Sequence, residues 1–145
     1  MALNNLFSIA GTALNAQTVR MNTTASNLAN AGTVAGSEKD AFRAKRTVFK
    51  TILDQHLGQQ FGQLDPSNRG GVKVSSINDD LAPITRRSEP TNPAADKDGY
   101  VYMSNVQEMT EMVEMMAAAR SYQNNVEVVN TARQLTLRTL DIIKS

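Results

Sequence analysis

Positions of one kind recur in steps of four and three at the start of the chain: Leu3, Phe7, Ala10, Leu14, Gln17, Met21, Thr24 and Leu28, six of the eight apolar. This is the a/d seam of a heptad, and it predicts a long helix ending near Asn30 and Gly32, residues suited to closing a helix. A broader apolar stripe runs through Val106, Met109, Met112, Val113, Met116, Ala119, Tyr122, Val126, Val129, Leu137, Leu140 and Ile143. No Gly or Pro interrupts the chain from about Ser104 to Lys144, so a second and longer helix is predicted there. Ser104 or Asn105 is placed to cap its start, with Glu108 in the first turns and Lys144 in the last, matching the helix dipole.

Between these patterns the period changes. Ala41–Leu53 and Gly71–Ile77 alternate and are rich in β-branched residues, which predicts short strands, with Tyr100–Met103 a candidate third. Residues 55–70 are Gln- and Gly-rich and are expected to form a mobile loop, whereas Ala82–Gly99 holds Pro83, Pro90 and Pro93 and is expected to run extended with turns. The fold class predicted is mainly α with a small β segment: two long terminal helices forming a coiled-coil-like pair, joined by a β hairpin or ribbon and extended loops. The chain divides into an N-terminal helix (1–36), a middle segment (37–103) and a C-terminal helix (104–145).

The first helix has unusual outer faces. They carry Asn4, Asn5, Ser8, Thr12, Asn15, Thr18, Asn22, Thr23, Ser26 and Asn27 rather than Glu, Lys or Arg. These are mediocre helix formers, and such a helix is stable only when protein surrounds it. Two helices paired antiparallel leave other faces wet, among them those bearing Met109, Met112, Met115 and Met116. Flexible Met side chains suit interfaces that accept slightly different partners. The pattern therefore points to a subunit that completes its core against other subunits, heterologously and so open to growing a filament.

Composition narrows the chemistry. The chain has 145 residues, 15 Lys+Arg against 14 Asp+Glu, no Cys and one His. Without Cys there is no disulfide framework, thiolate metal site or cysteine nucleophile, and with His56 alone there is no multi-His metal site or catalytic triad. His56 sits in the Gln-rich loop and is read as solvated. A formal charge of +1 argues against a dedicated nucleic-acid binder. No apolar run approaches the roughly 18 residues of a membrane span. Met1–Gln17 has no Lys or Arg and is broken by polar residues, unlike a Sec signal. No enzyme, cofactor or metal is expected.

The remaining local features have plain readings. Asp96 and Asp98 before Gly99 lack the further ligands of a calcium loop and are read as a turn. Gly70 and Gly71 lack the Lys and Ser/Thr of a phosphate loop. Arg43, Lys45, Arg46 and Lys50, beside Phe42 and Phe49, are explained by strand alternation, with the charges solvated or paired to acids of adjacent subunits.

Several of these segments also resemble a known family. MNTTASNLANAGT (Met21–Thr33) resembles the N-terminal signature of bacterial flagellar rod and hook axial proteins, and EMTEMVEMMAAARSYQNNVEVVNTARQLTLRTL (Glu108–Leu140) is similar to their terminal helix. FRAKRTVF (Phe42–Phe49), GGVKV (Gly70–Val74) and EPTNPAADKDGYVYMSNV (Glu89–Val106) resemble the short proximal-rod type. The likeness covers nearly the whole chain apart from residues 55–68.

The resemblance implies a structural subunit of the proximal rod, which passes motor torque to the hook. It implies export by the flagellar type III apparatus without a cleaved signal, and terminal helices that form an inner coiled-coil layer and are largely disordered before assembly. The partners implied are further copies of the chain, other rod proteins, the rod-to-membrane-ring adaptor and the export apparatus. The candidate assembly residues are Leu3, Phe7, Leu14, Met21 and Leu28 on one helix and Met109, Met116, Val126, Val129, Leu137 and Leu140 on the other. Phe49 and Leu53 resemble the short element by which some rod and hook proteins engage the export gate, a pattern that plain packing also explains. The alternative from another class is a soluble helical adaptor or export chaperone, which would be well folded when dilute.

Overall fold

The computed structural model describes residues 2–52 and 70–144, and the side chains of 5–52, 70–139, 141 and 142. In chain order the elements are α1 (Ala2–Ala29), β1 (Val34–Ala35), β2 (Lys45–Ile52), β3 (Gly71–Asp79), β4 (Arg86–Ser88), β5 (Tyr100–Met103) and α2 (Glu108–Lys144). The mainly α architecture predicted from the two apolar patterns is the one observed. Residues 55–69, expected to form a mobile loop and including His56, lie outside the described residues, as does Leu53.

α1 and α2 pack together and run in opposite directions, because Asn27 meets Glu111 while Arg20, two turns earlier, meets Glu114. The seam between them is lined by small side chains: Ala10, Ala16, Thr24 and Asn27 on α1, and Ala118 and Ala132 on α2, are buried. Small residues allow close helix approach, whereas the larger Phe7, Leu14, Met21 and Leu28 are only half-buried beside this line. One column of the predicted heptad (Ala10, Thr24) is therefore interior, and the other column is not.

The middle of the chain forms two separate sheets. β2 and β3 make an antiparallel hairpin with a register shift between Val48 and Phe49, and β1, β5 and β4 make a three-stranded antiparallel sheet in that order. β1 and β4 are additions to the predicted elements; β4 lies in the Pro-bearing stretch, on a run with no Pro of its own. The hairpin lies along α1: Lys45 is bound to Asn27, and Val72 donates its N–H to Thr12 Oγ1 at 3.2 Å. Packing there is close enough that a Cβ on Gly71 would sit 2.9 Å from Thr12 Oγ1. This accounts for the uncharged Thr23 and Asn27, which are buried within the fold, whereas Asn15, Thr18, Asn22 and Ser26 remain exposed on α1.

The helix ends differ in their chemistry. α1 closes through Asn30, whose N–H donates to Ser26 O and Asn27 O and whose Nδ2 donates to Ser26 O at 2.8 Å. α2 begins at Glu108, so the expectation that Ser104 or Asn105 caps it is corrected. Gln107 precedes the helix and accepts from Glu111 N–H and from Thr110 Oγ1. Ser104 and Asn105 are turned to other tasks, Ser104 Oγ accepting from Val106 N–H and Asn105 bridging the hairpin. At the tip of the Pro-bearing stretch Gly99 takes a positive φ of 78° against Pro90, inside the predicted turn. Asp96 Oδ1 closes that turn by accepting from Asp98 and Tyr100 N–H.

Candidate functional site: the joint between the terminal helices and the hairpin

Every strand edge has backbone groups that need partners. At the open end of the hairpin two asparagine side chains supply them, one from each terminal segment. Asn27 Oδ1 accepts from Lys45 N–H at 2.8 Å and Asn27 Nδ2 donates to Lys45 O at 2.9 Å, so the amide acts as one further strand residue. Asn105 Oδ1 accepts from Ala44 N–H at 2.7 Å, and Asn105 Nδ2 donates to Asp80 O and Ala82 O, each at 3.1 Å. Ala44 is fully buried between these ties and joins Ala31, Val106 and Phe42 in the apolar centre of the joint.

A buried carboxylate links the same elements. Glu111 on α2 is 1% exposed, and its Oε2 accepts from Asn27 Nδ2 at 3.0 Å. Its Oε1 accepts from Arg46 Nη1 at 2.6 Å, while Arg46 Nε donates to Asp80 Oδ2 at 3.3 Å. Burial opposes the Arg46 charge, but Glu111 and then Asp80 outweigh it and hold the guanidinium pKa above its ordinary value. The Asp80 carboxyl is held below the usual carboxylate range, chiefly by the hydrogen bond it accepts from Ala82 N–H; desolvation opposes this, and Arg46 and Arg43 reinforce it. Arg20 and Glu114 pair across the helices next to this network, above a groove of about 450 Å³ that also borders Thr24, Thr47 and Phe49.

The basic cluster is thereby accounted for within the chain. Lys45 pairs with Asp79 at 2.7 Å, Arg46 with Glu111 and Asp80, and Arg43 with Glu38 at 3.6 Å, so acids of adjacent subunits are not what these three cations need. Neither Asn27 nor Glu111 stood out as a site in the sequence. The available signals were an acid inside the apolar stripe of α2 and an Asn on a helix face without charges.

The candidate assembly residues are distributed along both helices. Phe7, Leu14, Met21, Leu28, Val126 and Val129 are half-buried; Met109 is 75%, Met116 57% and Leu137 52% exposed. Leu3 and Leu140 lie in described helix, but their side chains are outside the described set. Phe49 is on β2, partly exposed at the groove. Met109, Met112, Val113 and Met116 form an uncovered apolar stripe whose centre lies across α2 from the buried Glu111 and Ala118. Among the described residues no cluster of His, Cys, Asp or Glu is arranged to hold a metal, and no helix is long and apolar enough to cross a membrane.

Comparison with known proteins matches the two helical ends and then the whole chain. Residues 7–35 match the family "Flagella basal body rod protein", and residues 97–142 match "Flagellar basal body rod FlgEFG protein C-terminal". Over 98% of its length the chain is 48% identical to the flagellar basal-body rod protein FlgC of Salmonella typhimurium, across 98% of that protein. The corresponding proteins of Yersinia enterocolitica and Escherichia coli O6:H1 are 47% and 46% identical over the same shares. The chain belongs to the FlgC family of flagellar basal-body rod proteins. Membership makes it a structural subunit of the proximal rod and not an enzyme. The two family matches span Asn27, Asn105 and Glu111, whereas Ala44, Lys45, Arg46 and Asp80 of the joint lie between them.

Proposed function

We propose that the terminal segments, 1–36 and 104–145, form the assembly core of this rod subunit and that the middle segment, 37–103, packs outside it. One observation carries the reading: α2 turns Ala118 and Glu111 to α1 and leaves Met109, Met112, Val113 and Met116 uncovered on its other side. An apolar stripe of this kind marks a protein contact. Its occupants are further copies of the chain and other rod proteins, which cover the half-buried line of Phe7, Leu14, Met21 and Leu28 as well. Leu3, Val126, Val129, Leu137 and Leu140 belong to the same contact set. The rod-to-membrane-ring adaptor is a neighbour at the base of the rod.

In this reading the chain leaves the cytoplasm through the flagellar type III apparatus without a cleaved signal, assembles in the periplasmic space, and carries motor torque through its packed helices. The joint at Asn27, Arg46, Asn105 and Glu111 fixes the hairpin to both helices, so that load on either helix reaches the middle segment. The test is a pair of strains carrying Leu14→Asp or Leu137→Asp. A charge placed in an intersubunit contact is left unpaired on assembly. Each strain is expected to make and export the chain, to lack it in the basal body and to be non-motile; wild-type motility in either strain would remove that residue from the interface.

A further inference from the structure

The β2–β3 hairpin has two outer edges, and α1 closes each of them at one end only. Asp80 N–H donates inward to Ala44 O at 2.7 Å, whereas Val72 N–H donates outward to Thr12 Oγ1. Alternation along an antiparallel ladder then fixes the direction of every other rung. On β2 the backbone groups of Lys45, Thr47, Phe49 and Thr51 point away from β3, and on β3 those of Val72, Val74, Ile77 and Asp79 point away from β2. The Lys45 rung is filled by Asn27 and the Val72 rung by Thr12. Among the described residues nothing fills the rungs at Thr47, Phe49 and Thr51, the first two of which border the groove beside Arg20 and Glu114, or those at Val74, Ile77 and Asp79, on strands that are exposed along most of their length.

A two-stranded ribbon is marginal alone, and open edges are templates for a further strand. Charge selects which strand. β2 carries Lys45, Arg46 and Lys50 and no acid, so two β2 edges placed together would set like charges against each other. β3 ends in Asp79, followed by Asp80, and within the chain these already pair with Lys45 and Arg46 when the strands run antiparallel. β3 also carries Lys73, opposite Lys50, so the complementarity that joins the strands inside one chain lies at the Lys45–Arg46 and Asp79–Asp80 end, and it is that end which is available again at the two outer edges.

We propose that β3 of one copy adds antiparallel to the open edge of β2 in a second copy, so that neighbouring hairpins continue one another's sheet. Each copy then offers one edge and receives the other, a heterologous contact that repeats around a wall without using up its own ends. The inference rests on the assignment of the chain to a rod wall holding more than one copy.

The natural absence of Cys allows a direct test. Two versions of the chain are co-expressed, one bearing Thr47→Cys and the other Ser76→Cys, Ile77→Cys, Asn78→Cys or Asp79→Cys in turn. Basal bodies are purified and oxidised mildly, and mixed disulfide dimers, which can only join two copies, are quantified against an exposed loop control, Lys39→Cys. One β3 position is expected to give a dimer well above the control. Basal bodies that contain both versions but yield no mixed dimer at any position, or that yield only dimers between two β3 cysteines, overturn the inference and leave the rod assignment standing; absence of the chain from basal bodies overturns both. A second variant, Thr47→Pro, removes an outward N–H while leaving the inner ladder intact. It is expected to keep the circular dichroism of the native dilute chain and to lower incorporation about tenfold, the equivalent of one or two lost hydrogen bonds. Unchanged incorporation would count against the edge contact.

Discussion

Asn27 Nδ2 lies 3.0 Å from Glu111 Oε2, with Asn27 fully buried and Glu111 almost so, and this one bond joins the N-terminal helix to the C-terminal helix at the point where the hairpin meets both. The same amide holds both backbone groups of Lys45. Asn27→Ala removes three hydrogen bonds at once and leaves buried backbone groups without partners. The expected loss is about 2–4 kcal/mol in unfolding free energy, measured by denaturant titration of the purified chain. Asn27→Asp is expected to be worse than Asn27→Ala, because it sets a second carboxylate against Glu111.

The Arg46–Glu111 pair is unequal, and its variants should be unequal too. The Arg46 side chain is 43% exposed and keeps Asp80 as a partner, whereas that of Glu111 is 1% exposed. Arg46→Met strands a buried charge and is expected to cost about 3 kcal/mol or more. Glu111→Gln leaves Arg46 in water beside Asp80 and is expected to cost about 1–2 kcal/mol. Unfolding curves for the two single variants and the double variant decide the order; equal losses would show that the burial of Glu111 does not govern the pair.

Stability and assembly should separate along α2. Ala118 is fully buried in the seam against α1, so Ala118→Leu forces the helices apart and is expected to lower the stability of the dilute chain by about 1–3 kcal/mol. Met109 is 75% exposed on the outward stripe, and Met109→Ser is expected to change that stability by less than about 0.5 kcal/mol while weakening incorporation into basal bodies. Thermal unfolding of each dilute chain, set beside quantitative immunoblots of basal bodies, reads the two effects independently.

Acid should loosen the joint at the hairpin end. Asp80 has a folded pKa below its unfolded value, so its contribution to stability is present above the unfolded value, near 3.8, and is lost as pH falls through the folded one. Amide exchange at Ala82, whose N–H donates to Asp80 Oδ1 at 3.0 Å, is expected to accelerate below about pH 4 beyond its intrinsic pH dependence. Asp80→Asn should flatten that extra dependence. An identical pH response in the variant would locate the effect elsewhere.

The helices were legible because their apolar periods extend over many turns, and the hairpin because Ala41–Leu53 and Gly71–Ile77 alternate, although the first strand begins only at Lys45 and the second runs on to Asp79. The role of Asn27 was hidden by its chemistry: on a sequence an Asn at that position reads as a poor helix former on a face that other subunits must cover, and only the hairpin folded against α1 turns it into a strand surrogate. Ser104 and Asn105 misled for a related reason, since residues that cap helices also bridge backbone, and Ala44 and Asp80 compete for Asn105 from distant positions in the chain. Pattern alone also favoured large side chains for the seam between α1 and α2. Close packing of two long helices favours Ala10, Ala16, Ala118 and Ala132 instead, leaving Met109 and Met116 for contacts beyond the chain.

A rod subunit must reside in the basal body. Quantitative mass spectrometry of purified hook-basal bodies, after detergent and high-salt washing, measures its copies relative to other rod proteins. A few stoichiometric copies that survive washing are the predicted result. A chain found only in the cytosol and absent from basal bodies would contradict the account and favour a soluble adaptor or export chaperone.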